Sequence, residues 1–438
     1  MSKLESSDPR TVAGALRVGL DARMPDAAAG GVQQFVIGLA SGLAALDDLD
    51  ERYQFLTESD PIAWLTPYLG PDRGILQAKK HATQPEPWYG GLRRWVGSNI
   101  PGARAAWRRG RRLRSSRVLL PQSDGMIEAA GVEVMHFTFQ GAFLTAVPSI
   151  YQPWDLQHVH LPDFFTTDEN RWRDVAYRTF SERASIVVVA SEWARSDVVA
   201  HLGVPPAKVA VIGVPPAVSA YPVPDEAAVA EIAARLGLPR DFVYYPAQAW
   251  PHKNHPRLLA AMALVRDRGG EAIHLVCSGG PNRNDSAVQA EVRRLRLSES
   301  VQFVGFVQPA EVQALYRLSR AVVFPSLFEG WGLPVLEAFA IGVPVMCSNV
   351  TSLPELVGDA ALVVDPTSVE AIADAMARLW QDADLRAVLV ARGRPIAAGF
   401  DWKATARTYR ALYRAVAGRQ LSPADRTLVE QCMGELAS

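Results

Sequence analysis

Short apolar runs alternate along the first half of the chain with longer segments that can form helices. The runs are rich in β-branched and aromatic residues, which suits buried strands, and they cover 17–21, 53–56, 132–137, 149–151, 186–190 and 209–212. After the first run, Val32, Phe35, Val36 and Leu39 recur at helical spacing. This alternation predicts a parallel sheet with helices on both faces.

A proline-rich stretch at 214–224, VPPAVSAYPVP, separates this series from a second one. Such a stretch contains no helical pattern, so we place a domain boundary there. The second series of apolar runs covers 242–245, 273–278, 301–304, 321–324, 343–346 and 361–364. The predicted fold class is α/β, with two facing Rossmann-like domains, 1–214 and 215–399. In such folds ligands bind in a cleft at the carboxyl ends of the strands.

Bulk composition agrees with two folded domains. The chain has 438 residues, more than one core usually supports, with 49% apolar and 21% charged residues. Its three cysteines, Cys277, Cys347 and Cys432, have no CxxC spacing, so they predict neither a disulfide framework nor a cysteine zinc site. The polar start and the lack of a long apolar run predict a cytoplasmic protein.

Charge is uneven although the net charge is only −1. Between Trp88 and Ser123 there is no acidic residue, whereas arginines recur from Arg93 to Arg117 with tryptophan among them. Arginine beside tryptophan is typical of segments that contact an anionic membrane or a lipid-linked acceptor. Nucleic-acid binding uses the same residues, but we do not expect a nucleic-acid partner. A solvated, helix-rich insertion whose arginines pair with acids elsewhere is the plain alternative.

The stretch 324–339, FPSLFEGWGLPVLEAF, predicts a strand, a glycine-containing loop and a helix that starts near Pro334. The loop carries Glu329, and Glu337 follows eight positions later, in the predicted first helical turn. A helix start presents free N–H groups that suit phosphate, and a carboxylate can accept hydrogen bonds from ribose hydroxyls. The loop therefore suits a sugar nucleotide. Two unrelated glutamates, one in a solvated loop and one in a helix, are the alternative for the bare pair.

The pair and its surroundings, PSxxEGxGLPxLEA, resemble the signature of family-4 retaining glycosyltransferases, over roughly 17–416 of the chain. The resemblance implies the two-domain GT-B architecture, with a last helix at 400–418 that packs back on the first domain. It implies a catalytic role for Glu329, which holds sugar hydroxyls or stabilises an oxocarbenium-like centre, and a ribose-binding role for Glu337. Donor binding is implied for the loop residues Gly330, Trp331, Gly332 and Leu333.

A second string, YPAQAWPHKNH at 245–255, follows a predicted strand. Lys253 is suited to a diphosphate because an ammonium is a mobile point charge, and the resemblance implies that role. The family commonly has an arginine five positions earlier, where this chain has Gln248. His252 or a distant arginine is expected to compensate. A solvated loop lysine is the alternative.

A double glycine, Gly30-Gly31, follows the first strand and precedes a helix. There is no GxGxxG after the strand and no GxxxxGK[ST], so neither a dinucleotide fingerprint nor a P-loop is indicated. In the family this loop lines the donor diphosphate and sugar. A plain tight turn is the alternative.

The segment 151–165, YQPWDLQHVHLPDFF, gathers polar groups among aromatic ones. The family often has a histidine before the aspartate, where this chain has Trp154. Asp155 or His158 is therefore expected to contact the donor sugar or acceptor, which makes both catalytic candidates. A helix cap for Asp155, or a hydrogen-bonded loop histidine, is the alternative. His136, at the end of a strand, is a further candidate, and a core histidine is an equal reading.

Metal binding is not expected, and neither is another cofactor. Asp48-Leu49-Asp50 and Asp382-Ala383-Asp384 match DxD, but each lies in a polar stretch suited to a helix end. The strings PAxxWPHKNH and DLQHxxLPxFF resemble bacterial mannosyltransferases of cell-surface polysaccharide assembly, which makes GDP-mannose the expected donor. The alternative for the donor is another nucleotide sugar. The alternatives for the function are an epimerase or phosphorylase on the same fold, and a catalytically silent binding partner.

Overall fold

The computed structural model describes residues 14–24, 30–47, 50–58, 63–78 and 118–434. Its first sheet has seven strands in the order β3-β2-β1-β4-β5-β6-β7, all parallel. They are β1 (Leu16–Asp21), β2 (Glu51–Thr57), β3 (Arg73–Gln77), β4 (Val134–Phe137), β5 (Ser149–Tyr151), β6 (Ile186–Val189) and β7 (Val209–Val211).

The second sheet has six parallel strands in the order β10-β9-β8-β11-β12-β13. They are β8 (Val243–Pro246), β9 (Leu275–Ser278), β10 (Val301–Gly305), β11 (Ala321–Phe324), β12 (Val345–Ser348) and β13 (Leu362–Val364). Two Rossmann-like sheets are thus present, as predicted. The proline-rich stretch 214–224 lies between them, and the exact domain limits placed there stay a prediction.

Helices follow most strands. In the first half they are α1 (Gly30–Ala44), α2 (Met126–Ala129), α3 (Gln157–His160), α4 (Thr167–Arg183) and α5 (Glu192–Leu202). The second half has α6 (Glu226–Leu236), α7 (His255–Asp267), α8 (Asp285–Arg294), α9 (Pro309–Leu318), α10 (Leu333–Ile341), α11 (Leu353–Val357), α12 (Val369–Gln381), α13 (Ala383–Ala398), α14 (Trp402–Val416) and α15 (Pro423–Met433).

The helix α14 packs on α1, so the end of the chain returns to the first sheet. Small residues make this approach possible: a Cβ on Gly38 would lie 2.0 Å from the Trp402 ring, and one on Gly42 would lie 2.1 Å from the Trp402 carbonyl oxygen. Tyr413 adds a hydrogen bond between its hydroxyl and His136 Nδ1 at 2.9 Å. The chain therefore crosses between the halves twice, at 214–224 and again before α14.

Candidate active site

The loop between β11 and α10 is held in place by side chains from neighbouring segments. The Asn254 amide donates to the carbonyls of Pro325 and Pro366, at 2.9 and 2.8 Å. The Ser352 hydroxyl lies 3.0 and 3.1 Å from the carbonyl oxygens of Glu329 and Trp331. Because these polar side chains are buried, the loop is fixed from inside the second domain.

Lys253 and Glu329 form an ion pair beyond the carboxyl ends of strands β8 and β11 in the second sheet. Lys253 Nζ lies 2.5 Å from Glu329 Oε1, and the two side chains are only 16% and 12% exposed. Lys253 ends a short 3-10 helix after β8, and the Tyr245 hydroxyl donates to its carbonyl. The Leu327 N–H donates to the neighbouring His252 carbonyl at 2.7 Å, which ties the lysine segment to the glutamate loop. Two sequence-predicted site residues, 76 positions apart, are thus brought into contact.

Asp155 faces this pair from the first domain. Burial raises the pKa of its carboxyl, and the charge of Glu329 adds to that effect, whereas Arg173 and Lys253 act against it. The two domains nearly touch here: a Cβ on Gly330 would lie 2.5 Å from the Trp154 carbonyl oxygen and 3.2 Å from Asp155 Cβ. Asp155 also accepts the Gln157 N–H at 3.1 Å at the start of α3. It therefore both caps a turn and lines the interdomain cleft.

Glu337 lies deeper along α10. From Pro334 we predicted that Glu337 lies in the first turn of this helix. The helix begins one residue earlier, at Leu333, so Glu337 lies in the second turn. Its Oε2 accepts the Tyr316 hydroxyl at 2.7 Å. Burial raises the pKa of Glu337 to about 7, against the lowering effect of hydrogen bonds from Tyr316 and the Ala217 N–H. In its ionised form this half-buried carboxylate can accept hydrogen bonds from ligand hydroxyls.

The double glycine opens α1, and this helix start faces the start of α10. Gly30 is the first residue of α1 and has a φ of 49°, a left-handed conformation that favours glycine. A Cβ on Gly31 would lie 3.5 Å from Leu333 Cδ1. Gly332, with a φ of 108°, is the N-cap of α10. Two helix N-termini from different domains therefore converge, an arrangement that suits an anionic diphosphate.

The other predicted donor contacts differ in character. The Trp331 side chain is buried, donates to the Val214 carbonyl at 2.9 Å and packs on Phe400, so its indole supports the fold and leaves only its backbone for the cleft. The Gln248 side chain accepts the Trp250 indole N–H at 2.8 Å. Burial, followed by the charge of Lys253, lowers the pKa of His252 to about 2. A neutral imidazole cannot replace the positive charge of the family's arginine.

Two candidate histidines lie in the first-domain core. His158 is 4% exposed, its ring centroid is 4.9 Å from that of Tyr177, and its buried nitrogens have no hydrogen-bond partner among the described residues. His136 is fully buried between Tyr413 and Gln152. Burial lowers the pKa of His158 to about 4 and of His136 to about 3. His136 therefore fits the reading of a core histidine. Within the described part of the chain, His158 is buried without the hydrogen bond that its plain alternative required, and its catalytic role stays a prediction.

Several residues of the cleft carry no sequence signal of a site. Arg173 on α4 donates to the Tyr177 hydroxyl at 2.8 Å and contributes its charge to the surroundings of Asp155. Ser191, the N-cap of α5, also donates to the Gly330 carbonyl at 3.1 Å. The Glu355 carboxylate accepts the N–H groups of Glu192 and Trp193, both at 2.9 Å, and so caps a first-domain helix from the second domain.

Some predictions fall outside the described residues. The arginine-rich segment Arg93–Arg117 does so entirely, as does Asp48 of the first DxD. In the second DxD, Asp382 accepts the Leu385 N–H at 2.8 Å and caps α13, which agrees with a helix end. None of the helices in the described part is long and apolar enough to cross a bilayer.

Two parallel Rossmann-like sheets with charged side chains in the gap between them define the GT-B glycosyltransferase class of fold, as predicted. The chain resembles the Anabaena protein Alr3699/HepE in complex with UDP and glucose, with 17% identity, a TM-score of 0.66, and 91% of this chain and 100% of that one covered. It also resembles WaaG, a glycosyltransferase involved in lipopolysaccharide biosynthesis, with 16% identity, a TM-score of 0.60, and coverage of 92% and 100%.

Residues 230–395 match the family model described as glycosyl transferases group 1, so the chain carries a glycosyl transferases group 1 domain. O-antigen chain mannosyltransferase B of Escherichia coli is 31% identical over 57% of this chain and 65% of its own length. D-inositol 3-phosphate glycosyltransferase of Corynebacterium glutamicum is 28% identical over 56% and 61%. The chain thus spans under two thirds of these relatives. The predicted resemblance to glycosyltransferases is confirmed.

Proposed function

We propose that the protein transfers a hexose from a nucleotide sugar to a glycan or lipid-linked acceptor of a cell-surface polysaccharide. The observation that carries this proposal is the Lys253–Glu329 ion pair, which lies in the cleft opposite Asp155. An ion pair of two mostly buried side chains in a cleft is suited to exchange its internal contact for a charged, hydroxylated ligand.

The reaction requires little covalent chemistry from the protein. As the bond from sugar to phosphate breaks, negative charge grows on the diphosphate and positive charge on the sugar ring, so preorganised groups aimed at these atoms lower the barrier. Lys253 and the N–H groups at the starts of α1 and α10 would stabilise the diphosphate. Glu329, released from its lysine, would hold sugar hydroxyls or stabilise the oxocarbenium-like centre, while Glu337 would hold the ribose.

On the acceptor side we assign Asp155 the contact with the incoming hydroxyl or the donor sugar. Arg173 lies near enough to influence the pKa of Asp155, and we assign it the contact with an anionic acceptor. Retention of configuration, with the departing phosphate accepting the acceptor's proton, is part of the proposal and is motivated by the family resemblance. No metal ion is needed in this scheme because Lys253 and the helix starts supply the positive potential.

Mannose from GDP-mannose is the proposed donor. Two relatives support mannose: O-antigen chain mannosyltransferase B, and the serotype-specific mannosyltransferase WbdA, 34% identical over 39% of this chain and 21% of its own length. Rhamnosyl or glucosyl transfer from another nucleotide sugar is the nearest rival. A silent nucleotide-sugar-binding partner of an assembly complex is the rival from a different class, and turnover separates it from an enzyme.

The test uses the full chain. GDP-, UDP- and dTDP-sugars are screened for a rise in thermal midpoint, because a ligand that binds only the folded state must stabilise it. The preferred donor is then used in a transfer assay with Lys253→Ala, Lys253→Arg and, as the matched control, Lys403→Ala, whose ammonium is 3.7 Å from the exposed Asp47 carboxylate.

We expect Lys253→Ala to lower kcat/KM about 100-fold to 1,000-fold, as the loss of one preorganised charge donor does elsewhere. Lys253→Arg keeps part of the rate, and the control keeps all of it. Donor-induced stabilisation without turnover, on a range of glycan and lipid-linked acceptors, would favour the silent binding partner. Full turnover by Lys253→Ala would refute the proposed site.

We also propose that the protein contacts anionic membrane on the cytoplasmic side through Arg93–Arg117, and that it has no nucleic-acid partner. The support is the acid-free, tryptophan-containing composition of the segment. Reversing several charges from Arg108 to Arg117 should release the protein from vesicles that contain anionic lipid. If the unmodified protein does not sediment with such vesicles, this contact is excluded.

A further inference from the structure

Three metal-ligating side chains meet beside the active-site loop, outside the donor site. His160 ends α3, while Asp197 and His201 lie four positions apart on α5, which places both on one face of that helix. His160 Nε2 and His201 Nδ1 lie 2.7 and 2.9 Å from the same oxygen, Asp197 Oδ1. The side chains of His160 and His201 are 30% and 39% exposed, and that of Asp197 is 4% exposed.

The carboxylate of Asp197 is incompletely satisfied. Its Oδ1 faces both imidazoles, whereas its buried Oδ2 has no hydrogen-bond partner among the described residues. A buried carboxylate oxygen without a partner is costly, so this arrangement calls for a further positive or donor group. Candidate ligand atoms of the three residues all lie within 4.8 Å of one another.

Two imidazoles and one carboxylate form a ligand set that zinc accepts, usually with a solvent molecule as the fourth ligand. Imidazole nitrogen also favours zinc, copper or nickel over magnesium and calcium. At bond lengths of about 2.0–2.1 Å, tetrahedral ligand atoms lie about 3.3 Å apart. The two N–O distances would therefore open by about half an ångström, which the partly exposed imidazoles can accommodate.

The cluster is connected to the catalytic loop through aromatic packing. The ring centroid of His160 lies 5.1 Å from that of Phe328 and 5.7 Å from that of Trp193, and Phe328 directly precedes Glu329. Phe328 and Trp193 contact each other as well, with centroids 5.5 Å apart. Fixing His160 thus fixes a surface on which the loop of the second domain rests.

We propose that His160, Asp197 and His201 form a binding site for a zinc-class divalent transition metal. The ion joins α3 to α5, completes the coordination of Asp197 and holds the His160 ring against Phe328. Its role is structural: it lies beside the sugar-transfer site and takes no part in bond breaking. The site is independent of the donor proposal, because zinc binding can succeed or fail whatever nucleotide sugar is used.

The experiment measures zinc binding by calorimetry to the full, untagged chain after chelator treatment. The wild type should bind one Zn²⁺ per chain, and its thermal midpoint should rise when zinc is added. His201→Gln and Asp197→Asn should each weaken zinc binding by more than about 100-fold. Removing a metal ligand costs at least as much affinity as removing a residue that hydrogen-bonds to a ligand. His274→Gln, in the other domain before β9, is the matched control and should bind zinc normally.

A second readout separates ligation from general destabilisation. Co²⁺ in the same site should give the visible absorption of tetrahedral coordination, which His201→Gln should abolish while its far-UV circular dichroism remains that of the wild type. Failure of the folded wild type to bind zinc at micromolar concentrations would overturn the proposal. So would unchanged binding in both ligand variants. Either result would identify the cluster as a carboxylate hydrogen-bonded to two imidazoles.

Discussion

Replacing Glu337 by glutamine is expected to stabilise the free protein and to weaken donor binding. The pKa of Glu337 is about 7 in the folded protein, compared with an ordinary value of 4.5. Between these two pH values the folded protein therefore holds a proton that the unfolded chain lacks. The contribution of the Glu337 carboxyl to the free energy of unfolding is complete below pH 4.5 and is lost as the pH rises through 7.

The size of the effect follows from the same two pKa values. Each pKa unit corresponds to about 1.36 kcal/mol, so ionising Glu337 above pH 7 costs the folded protein about 3 kcal/mol. Glutamine at 337 mimics the protonated carboxyl at every pH and avoids that cost. The thermal midpoint of Glu337→Gln should exceed that of the wild type by several degrees at pH 8 and by little or nothing at pH 4.5.

Donor binding should show the opposite dependence. If the ionised carboxylate accepts the ribose hydroxyls, about 90% of the sites are competent at pH 8 and about 9% at pH 6, so the dissociation constant should be about tenfold larger at pH 6. Neither His252, with a pKa of about 2, nor His255, with a pKa of about 4, titrates in this interval. The glutamine variant should bind the donor more weakly and with no such pH dependence.

The assay combines thermal midpoints from pH 4.5 to 8 with calorimetric titration of the preferred donor at pH 6, 7 and 8. Glu299→Gln, at an exposed glutamate, is the matched control and should change neither quantity. A midpoint difference that is the same at all pH values would show that the carboxyl is not held protonated near neutrality. Unchanged donor affinity in Glu337→Gln would show that Glu337 does not contact the donor.

Three further predictions concern the cleft and its chemistry. Gly330→Ala puts a Cβ 2.5 Å from the Trp154 carbonyl, so it should hold the domains apart and lower kcat/KM without lowering the thermal midpoint; a wild-type rate would contradict this close approach. Glu355→Gln loses the charge that caps α5 across the cleft and should weaken donor affinity about twofold to fivefold, whereas equal affinity would show that this contact does not favour the closed form. Transfer should continue in EDTA below the unfolding temperature of the zinc-free protein; loss of transfer that magnesium restores would refute a metal-independent reaction.

Local sequence was sufficient for most of the architecture. Buried parallel strands are continuous apolar runs, so their existence could be predicted even though limits shifted by a few residues, as at Leu275–Ser278 and Val345–Ser348. The strand Arg73–Gln77 escaped prediction because it lies at a sheet edge and carries a half-buried, partly polar sequence. The start of α10 was placed within one residue, but that single residue moved Glu337 from the first turn to the second.

What the sequence determined by itself is the α/β fold and a short set of candidates, because proline, glycine and apolar periodicity act through the local backbone. Which candidates share a site depended on the order of the strands within each sheet and on the docking of the two sheets. Lys253 and Glu329 meet although they are 76 positions apart, whereas Asp155 faces the cleft and His158, three positions later, lies in the core. The contact of His160 with Asp197 and His201 likewise joins two elements whose separation in space no local pattern specifies.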